Sequence, residues 1–463
     1  MATARHSLSA VAAGTVLSLG LITGCGGDDD SRSGAEATGQ NRPRASAPAD
    51  RQAGYPGEAI PGLVTKPAWR LARQSDATRR CAGDAALPSD RQTETGSCVV
   101  GDAFLLVEDL SDPVADGETQ PQTARFLAHL YDAATGKERR SFTVTCAYDP
   151  SGGDAPEPAA QVQVGTWQDG SPAVLIRDCE NTAEGGQGNP AATTLYTMYA
   201  PSGAKLGSSV YTGVERAALP VVRGRVLFPG DVHDDRTLAP IGGGRNLVLP
   251  AGAEPLDTGR GYATRGTGVN ESLSVFDQTT GKSLWTTADL TPPADVAAQI
   301  EDGEEPDAEL YPLHGDQGIL IWSASGSDDA VITTVDLRTG ATLAVGPRTT
   351  LKEFGQVAVP AVSPDGKTAV VDFAGEAVAW NTATGAELWR QEADDKEIRP
   401  VTVTTGGVLF AELEYDQAAL SMGTKSLLGL LPEGTNAPTQ FTTDGYTLIP
   451  ADNGFFAFLA TKA

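Results

Sequence analysis

Residues 377–391 read AVAWNTATGAELWRQ and form the unit around which the chain is organised. Val378 and Trp380 alternate with smaller residues, which is the pattern of a half-buried β-strand. A Thr-Gly pair then predicts a tight turn, because Gly385 can adopt positive φ without the steric penalty that other residues carry. A Leu-Trp pair begins the returning strand. One hairpin of this kind is marginal in water, so the unit predicts neighbouring sheets that cover its faces.

The unit recurs along the chain. Related segments cover residues 130–142, 198–209, 275–287 and 335–346, and a degenerate copy covers 430–440. Each copy centres on a glycine, and these marker glycines are Gly136, Gly203, Gly281, Gly340, Gly385 and Gly434. A spacing of roughly 40 to 50 residues with insertions, at four short strands per unit, is typical of β-propellers. The repeats therefore predict an all-β chain that forms a single β-propeller.

The two ends of this domain predict how the ring closes. Residues 441–463 follow the last copy and are long enough for about three strands. Near the start, residues 66–72 (KPAWRLA) are similar to the strand that contains Trp389. An N-terminal strand that completes the last blade would leave no open sheet edge. We predict seven four-stranded blades closed in this way, with six or eight as the alternatives.

The first 54 residues do not belong to the propeller. Residues 1–24 combine Arg5, an apolar run too short to be read as a spanning helix, and small residues, which is the pattern of an export signal. The run ends in ITGC, similar to a bacterial lipobox, so Cys25 is the expected lipidation site; the alternative is an ordinary secretory signal. Residues 25–54 lack aromatic and large aliphatic side chains, which predicts a disordered tether. The propeller domain then covers residues 55–463.

The cysteines divide into one and four. With Cys25 acylated, an even number remains in an exported chain, which is typical of disulfide bonding in an oxidising compartment. Three connectivities are possible. We favour Cys81–Cys98 and Cys146–Cys179, because neighbours in sequence lie on the same or adjacent blades. No Cys-x-x-Cys or Cys/His spacing indicates zinc or redox chemistry.

Charge and motifs restrict the function. The formal net charge of −26 argues against nucleic-acid binding and against electrostatic adhesion to anionic lipid. Sequence motifs of serine hydrolases, P-loop enzymes and zinc proteases are absent. Asp231, Asp234 and Asp235 flank a histidine in one loop and are weak candidates for calcium binding, although solvated acidic loops are commoner. His129 precedes the first marker turn and is expected to be structural.

The tryptophans follow the repeat. Trp285 and Trp389 occupy the same position in their copies, and Trp69 matches it in the N-terminal strand. A side chain that recurs at a fixed offset is expected to pack between blades. Two others, Trp322 and Trp380, lie on other strands and are candidates for the channel lining, as is Trp167.

With these residues in hand, a family resemblance can be given. Residues 277–285 follow the pattern D-x-x-T-G-x-x-L-W, and residues 381–389 match it with Asn381 in place of the aspartate. The repeats resemble those of quinoprotein-like (PQQ-type) β-propellers. With the lipobox, the chain resembles exported propeller lipoproteins of high-GC bacteria. Enzymes of that superfamily bind pyrroloquinoline quinone and calcium through an adjacent-cysteine disulfide or basic residues. This chain has no adjacent cysteine pair, and none of those functional residues can be matched to it. Other members are non-enzymatic scaffolds.

The predicted function is a lipid-anchored binding or scaffold module at the outer face of the cytoplasmic membrane. It would contact the membrane through the anchor on Cys25 and bind a protein, peptide or cell-wall partner. No cofactor and no catalytic residue is assigned. Two alternatives remain open: a quinone-dependent or other enzyme with its site at the ring centre, and a sensor domain for a membrane partner.

Overall fold

The computed structural model describes most of the chain from residue 54 onward. The described residues are 54–72, 79–84, 98–110, 122–148, 161–180, 193–212, 219–228, 235–257, 261–265, 272–300, 306–313, 315–350, 360–373, 375–451 and 454–463. They belong to one unit and form a single all-β propeller of four-stranded blades. In these ranges no helix has the length and hydrophobicity needed to cross a bilayer.

Blades 1 and 2 share one sheet of ten strands. The strands of blade 1 are β2 (Arg79–Cys81), β4 (Val99–Val100), β5 (Ala103–Asp109), β6 (Gln122–Asp132) and β7 (Glu138–Tyr148). Both β2 and β4 pair with β5, so together they form the first-strand edge of blade 1. Blade 2 consists of β8 (Val162–Thr166), β9 (Pro172–Glu180), β10 (Thr193–Tyr199) and β11 (Lys205–Thr212), and β3 (Gly83–Asp84) pairs in parallel with β8.

Blades 3 to 7 are separate four-stranded antiparallel sheets whose strands follow chain order. Blade 3 is β12 (Val221–Val222), β13 (Arg225–Phe228), β14 (Arg236–Pro240) and β15 (Leu247–Leu249). Blade 4 is β16 (Glu254–Asp257), β17 (Gly261–Arg265), β18 (Ser274–Asp277) and β19 (Ser283–Thr286). Blade 5 is β20 (Asp307–Pro312), β21 (Gln317–Ser323), β22 (Asp329–Asp336) and β23 (Thr342–Thr350). Blade 6 is β24 (Ala361–Val362), β25 (Thr368–Asp372), β26 (Ala377–Asn381) and β27 (Glu387–Arg390). Blade 7 is β28 (Ile398–Val403), β29 (Val408–Leu413), β30 (Asp416–Ser421) and β31 (Leu427–Leu430).

Blade 8 brings together strands from both ends of the described chain. It contains β32 (Tyr446–Ala451), β33 (Gly454–Leu459) and β1 (Trp69–Ala72), in the order β1-β33-β32. Trp69 lies opposite Ala457 in an antiparallel register. Between blades 4 and 5, a 3₁₀ turn (Thr287–Asp289) and a short helix α1 (Ala294–Ala297) form an insertion.

The structure has eight blades, so the prediction of seven is wrong. The step from Gly203 to Gly281 leads from blade 2 to blade 4 and passes over blade 3. The last turn of blade 3 is formed by Gly242–Gly244 and lacks the Asp-x-x-Thr-Gly pattern, so the repeat in the sequence does not reveal this blade. The interpretation of Gly434 as a marker glycine of a turn is also wrong. Gly434 follows β31, and the corresponding turn of blade 7 places Lys425 in the left-handed region, with φ 60°.

The marker glycine has two roles in the β26–β27 hairpin. Gly385 has φ +73°, which favours glycine, and its N–H donates to the carbonyl oxygen of Asn381 at 2.8 Å. The Asn381 side chain also accepts hydrogen bonds from the backbone N–H groups of Ala383 and Thr384. A Cβ at position 385 would overlap the carbonyl oxygen of Val345 in the preceding blade. Glycine therefore permits both the turn and the close approach of blades 5 and 6.

The recurring tryptophans join consecutive blades, as predicted. The indole Nε1–H of Trp285, on the outer strand of blade 4, donates to the carbonyl oxygen of Leu337 in blade 5 at 2.8 Å. Trp389 makes the same bond from blade 6 to Met422 in blade 7, at 2.7 Å. Each indole is buried and satisfies a backbone carbonyl, so each bond adds specificity to the apolar packing.

Trp69 repeats this bond where blade 8 meets blade 1. Its Nε1–H donates to the carbonyl oxygen of Ala133 at 2.7 Å, and its ring packs at a centroid distance of 6.0 Å from Phe104. Trp322 and Trp380, two of the candidates for the channel lining, are fully buried, so neither is open to solvent. Trp167 packs against Gly207 and Gly224 between blades 2 and 3.

The hydrophobic cores lie between blades. Each cluster of buried apolar residues in the described part of the chain combines two consecutive blades. The cluster between blades 7 and 8 contains Phe410 and Phe456, and that between blades 8 and 1 contains Trp69, Leu71 and Phe104. Because neither face of a blade is covered within its own sheet, each blade depends on its neighbours for burial.

Candidate functional site

The cysteines lie near the joined blades 1 and 2. Cys81 and Cys98 form a disulfide, with a Cα–Cα distance of 4.6 Å, that ties β2 to the residue before β4. The backbone positions of Cys146 and Cys179 face each other in a parallel bridge between β7 and β9. That register supports the predicted second disulfide, which stays a prediction. Cys25 lies outside the described residues.

The loop proposed for calcium is only partly described. Asp231 and Asp234 lie outside the described residues. Asp235 is exposed, and its Oδ1 accepts a hydrogen bond from the backbone N–H of Ala251 at 3.2 Å. Within the described ranges, no group of three or more potential metal ligands comes together. Metal binding at this loop stays a prediction.

His129 is buried in blade 1 between two carboxylates. Its Nε2 lies 3.7 Å from Glu108 and its Nδ1 lies 3.4 Å from Glu138, while its ring stacks on Tyr131. Only 2% of the histidine side chain is exposed, so a substrate cannot reach it. The expected structural role of His129 agrees with this position.

The most unusual surface of the described chain is an apolar strip on its outer edge. Ten large apolar or aromatic side chains are exposed in the described ranges, and six of them lie on the outer strands of three consecutive blades. We call these strands, β23, β27 and β31, the outer rim. The six side chains are Leu343, Val345, Leu388, Leu427, Leu428 and Leu430. Scattered apolar residues are ordinary on a protein surface, whereas a concentration of them typically marks an interaction site.

Hydrogen bonds between blades hold the outer rim together. Arg390 on β27 donates from Nη2 to the carbonyl oxygen of Arg348 on β23. Lys425, two residues before β31, donates from Nζ to the carbonyl oxygen of Arg390 at 2.9 Å. These two bonds tie the three strands to one another, β23 to β27 and β27 to the turn before β31.

Arg390 and Lys425 also form ion pairs within the chain. Lys425 pairs with Asp395, and this hydrogen bond holds the pKa of the Asp395 carboxyl below its usual value. Arg390 pairs with Glu376 and Glu387. Burial alone would lower the pKa of Arg390, but the hydrogen bonds that its guanidinium donates to the two carboxylates outweigh that effect and raise it. The positive charges of the outer rim are thus already neutralised within the chain.

A polar cavity adjoins the outer rim where β23 ends. Its volume is about 240 Å³, and it lies between helix α1 and blades 5 and 6. Arg348 pairs there with Asp295 of the insertion. The lining residues are Asp295, Val296, Gln299, Asp329, Ala330, Val331, Arg348, Thr349, Thr350 and Arg390. The mixture of both charge signs makes this cavity a polar border of the apolar strip rather than a specific anion site.

β31 is the most exposed part of the outer rim. It is the last strand of its sheet, and three of its four residues are exposed leucines. The N–H of Leu431 donates to the carbonyl oxygen of Gln417 on β30, at 2.8 Å. Because inward and outward groups alternate along an antiparallel strand, the N–H and C=O of Leu430 point away from β30. Within the described ranges, no strand pairs with this outer edge.

Sequence reasoning missed the outer rim. The segment LLGL at 427–430 is a short continuous apolar run, which is typical of a strand buried on both sides. One signal was available, because this copy has Gly429 where the complete copies have tryptophan. In the complete copies this tryptophan packs the outer strand against the next blade. An outer strand without it need not be buried by that blade.

Comparison with known proteins agrees with the repeat assignment. Residues 270–424 match a family model of PQQ-type repeats described as outer membrane protein assembly factor BamB. This segment is built from PQQ-type propeller repeats. It includes all of blade 5 and blade 6 and two of the three outer-rim strands, β23 and β27. β31 begins just beyond the matched range. A search of curated proteins found no match to the chain.

Several solved structures are similar to the chain at low identity. BamB from Moraxella catarrhalis is 14% identical, covers 75% of this chain and 95% of its own, and gives a TM-score of 0.37. The C-terminal WD40 domain of Sif2 is 11% identical, with coverage of 78% and 97% and a TM-score of 0.34. The complex of KlAtg21 with the coiled coil of AgAtg16 is 10% identical, with coverage of 65% and 94% and a TM-score of 0.35.

Proposed function

We propose that this protein is a lipid-anchored extracytoplasmic propeller that binds a partner protein through the outer rim. The observation that carries the proposal is the concentration of exposed apolar side chains on three consecutive outer strands. Interfaces between proteins have apolar centres and polar borders. The outer rim has both kinds of residue, because its exposed leucines lie on the same three strands as Arg348 and Arg390, which line the polar cavity. The rim therefore has the composition expected of a scaffold surface.

The location rests on three features. The pattern of residues 1–24 is typical of an export signal, and residues 25–54 would hold the propeller away from the lipid bilayer on a flexible tether. The Cys81–Cys98 disulfide is compatible with an oxidising compartment. The family model that matches residues 270–424 carries the description of an outer membrane assembly factor, which is also compatible with an extracytoplasmic place.

The proposal includes a closed ring. It is supported by the pairing of β1 with β33 and by the bond from Trp69 to Ala133, which joins blade 8 to blade 1. A closed ring of eight blades leaves only outer strands as free edges. Such a scaffold presents its rim rigidly, so that a partner meets a surface that is already ordered.

Site-specific photo-crosslinking tests the proposed function. A photoreactive amino acid at position 388 or 428 of the full chain, expressed in its native membrane, should give discrete adducts with a protein. The control is position 248 on β15, the outer strand of blade 3, because Val248 is 51% exposed and is therefore at least as accessible as Leu388 at 37% and Leu428 at 42%. Equal adduct patterns at rim and control positions, or no adduct at the rim, would contradict the proposal.

A further inference from the structure

We propose that β31 accepts an extended segment of the partner protein as a fifth strand of blade 7, and that this segment is aliphatic and positively charged. The inference rests on the proposed function, since it names the partner chemistry for one strand of the outer rim. It follows from the free backbone edge of β31, from the leucines on it and from the charges beside it.

The backbone of β31 is the first argument. The outward N–H and C=O of Leu430 are presented in the geometry that an added strand would use. Many edge strands avoid such pairing through charged residues, proline or bulges that twist the edge away. β31 contains no charge and no proline. Its register shift lies next to Leu427, on the turn side, and leaves Leu430 in regular pairing with Ala418.

The side chains give the second argument. Leu427, Leu428 and Leu430 are 54%, 42% and 49% exposed, so an added strand would find apolar contacts at three of the four positions of β31. Gly429, the fourth position, faces Pro61, whose ring comes so close that a Cβ there would clash. The N-terminal segment thus occupies the space beside Gly429 but leaves the leucines uncovered.

Charge determines which occupant fits. Glu392 and Asp394 lie in the loop whose Asp395 is bound by Lys425, close to the start of β31, and Glu433 follows its end. These three carboxylates are exposed and make no ion pair in the described part of the chain, and the whole sequence carries −26. A cationic segment is therefore attracted, whereas a second copy of this chain is repelled.

A lipid bilayer is a poorer occupant for a different reason. Hydrocarbon offers no hydrogen-bond partners, and open sheet edges do not occur in it. Insertion of β31 would leave the outward N–H and C=O of Leu430 unpaired. A peptide strand satisfies these groups and covers the leucines at the same time.

Binding of model peptides to the full chain, purified in mild detergent, tests the inference. The probe is a fluorescent ten-residue peptide of alternating leucine and lysine, followed by fluorescence anisotropy. A second peptide replaces lysine by glutamate, and a third carries N-methyl groups on every other amide. We expect the lysine peptide to bind, and the other two to bind at least about tenfold more weakly, as expected for the loss of favourable charge or of one to two hydrogen bonds.

Two substitutions at one position separate backbone from side chain. Leu430→Ala removes only the apolar contact, whereas Leu430→Pro also removes the outward N–H. Because this N–H does not bond to β30, neither substitution breaks a hydrogen bond within blade 7, and both variants are expected to fold. The proline variant should bind the lysine peptide about tenfold more weakly than the alanine variant. Val248→Ala is the matched control on another outer strand and should bind like the unaltered chain.

The outcomes distinguish the inference from the proposed function. Equal binding by the alanine and proline variants, or equal binding of the three peptides, would overturn strand addition. Strand addition would also be overturned if the chain dimerised in sedimentation velocity, or floated with phosphatidylglycerol vesicles, and Leu430→Ala abolished that behaviour. Crosslinks at positions 388 and 428 that persist in Leu430→Pro would leave the proposed function intact while the inference fails.

Discussion

Replacing Trp69 by phenylalanine tests whether the N-terminal strand belongs to the cooperative structure of the propeller. The substitution removes the indole N–H that donates to Ala133 at 2.7 Å but keeps an aromatic ring in the core. Trp69 and Ala133 are each 1% exposed, so water cannot replace the lost donor. A buried acceptor left unpaired costs about 1–3 kcal/mol. The smaller ring loses about 1 kcal/mol of apolar burial. We expect the free energy of unfolding to fall by about 2–4 kcal/mol.

Urea unfolding, followed by far-ultraviolet circular dichroism, measures this change. Trp285→Phe and Trp389→Phe are matched controls, because they remove the same bond between blades that are consecutive in sequence. Similar losses in all three variants are expected if blade 8 unfolds together with the other blades. An unchanged midpoint for Trp69→Phe beside a lowered one for Trp389→Phe would refute the reasoning, since β1 would then contribute nothing to the cooperative unit.

Three further predictions concern a turn, an ion pair and a disulfide. Gly385→Ala should lower the free energy of unfolding by about 2 kcal/mol or more, because alanine is strained at positive φ and its Cβ would push blades 5 and 6 apart; thermal unfolding measures this. The pKa of Asp102 is lowered chiefly by its hydrogen bond with Arg139, so the stability it contributes is present above pH of about 4 and is lost as the pH falls; Asp102→Asn should show a shallower loss of thermal stability on acidification, and parallel curves would contradict this. Cys146 and Cys179 should be disulfide-bonded, so thiol titration of the denatured chain should detect neither as a free thiol, and Cys146→Ser should expose the thiol of Cys179.

Much of the fold could be predicted because each repeat is specified by a few residues that lie close together in the sequence. A glycine in a left-handed turn and a tryptophan at a fixed offset serve the same purpose wherever they occur, as Gly385 and Trp389 show. The predicted number of blades was wrong because, in two blades, the last turn is formed without the marker glycine of the repeat. Lys425 adopts the left-handed conformation without glycine, and three consecutive glycines form the turn of blade 3. Nothing in a period-2 pattern distinguishes these substitutes from ordinary loops.

The outer rim could not be predicted because exposure depends on neighbours and not on the strand itself. A run such as LLGL has the composition of a buried strand. Whether it is buried depends on what lies beyond the edge of its sheet, and that is decided by the arrangement of blades around the ring. The exposed leucines of β31 became recognisable only when β31 was seen to be the last strand of blade 7.

The departures from the repeat carry more functional information than the repeat. Trp389 lies opposite Ala379 in blade 6, and the corresponding pair in blade 7 is Gly429 opposite Ala419. Pro61 from the N-terminal segment fills the space beside Gly429, so the contact from blade 7 to blade 8 no longer depends on a side chain of β31. This releases the remaining residues of β31 from packing between blades. Leucine at three positions that packing does not require is costly for solubility, which favours a role in binding.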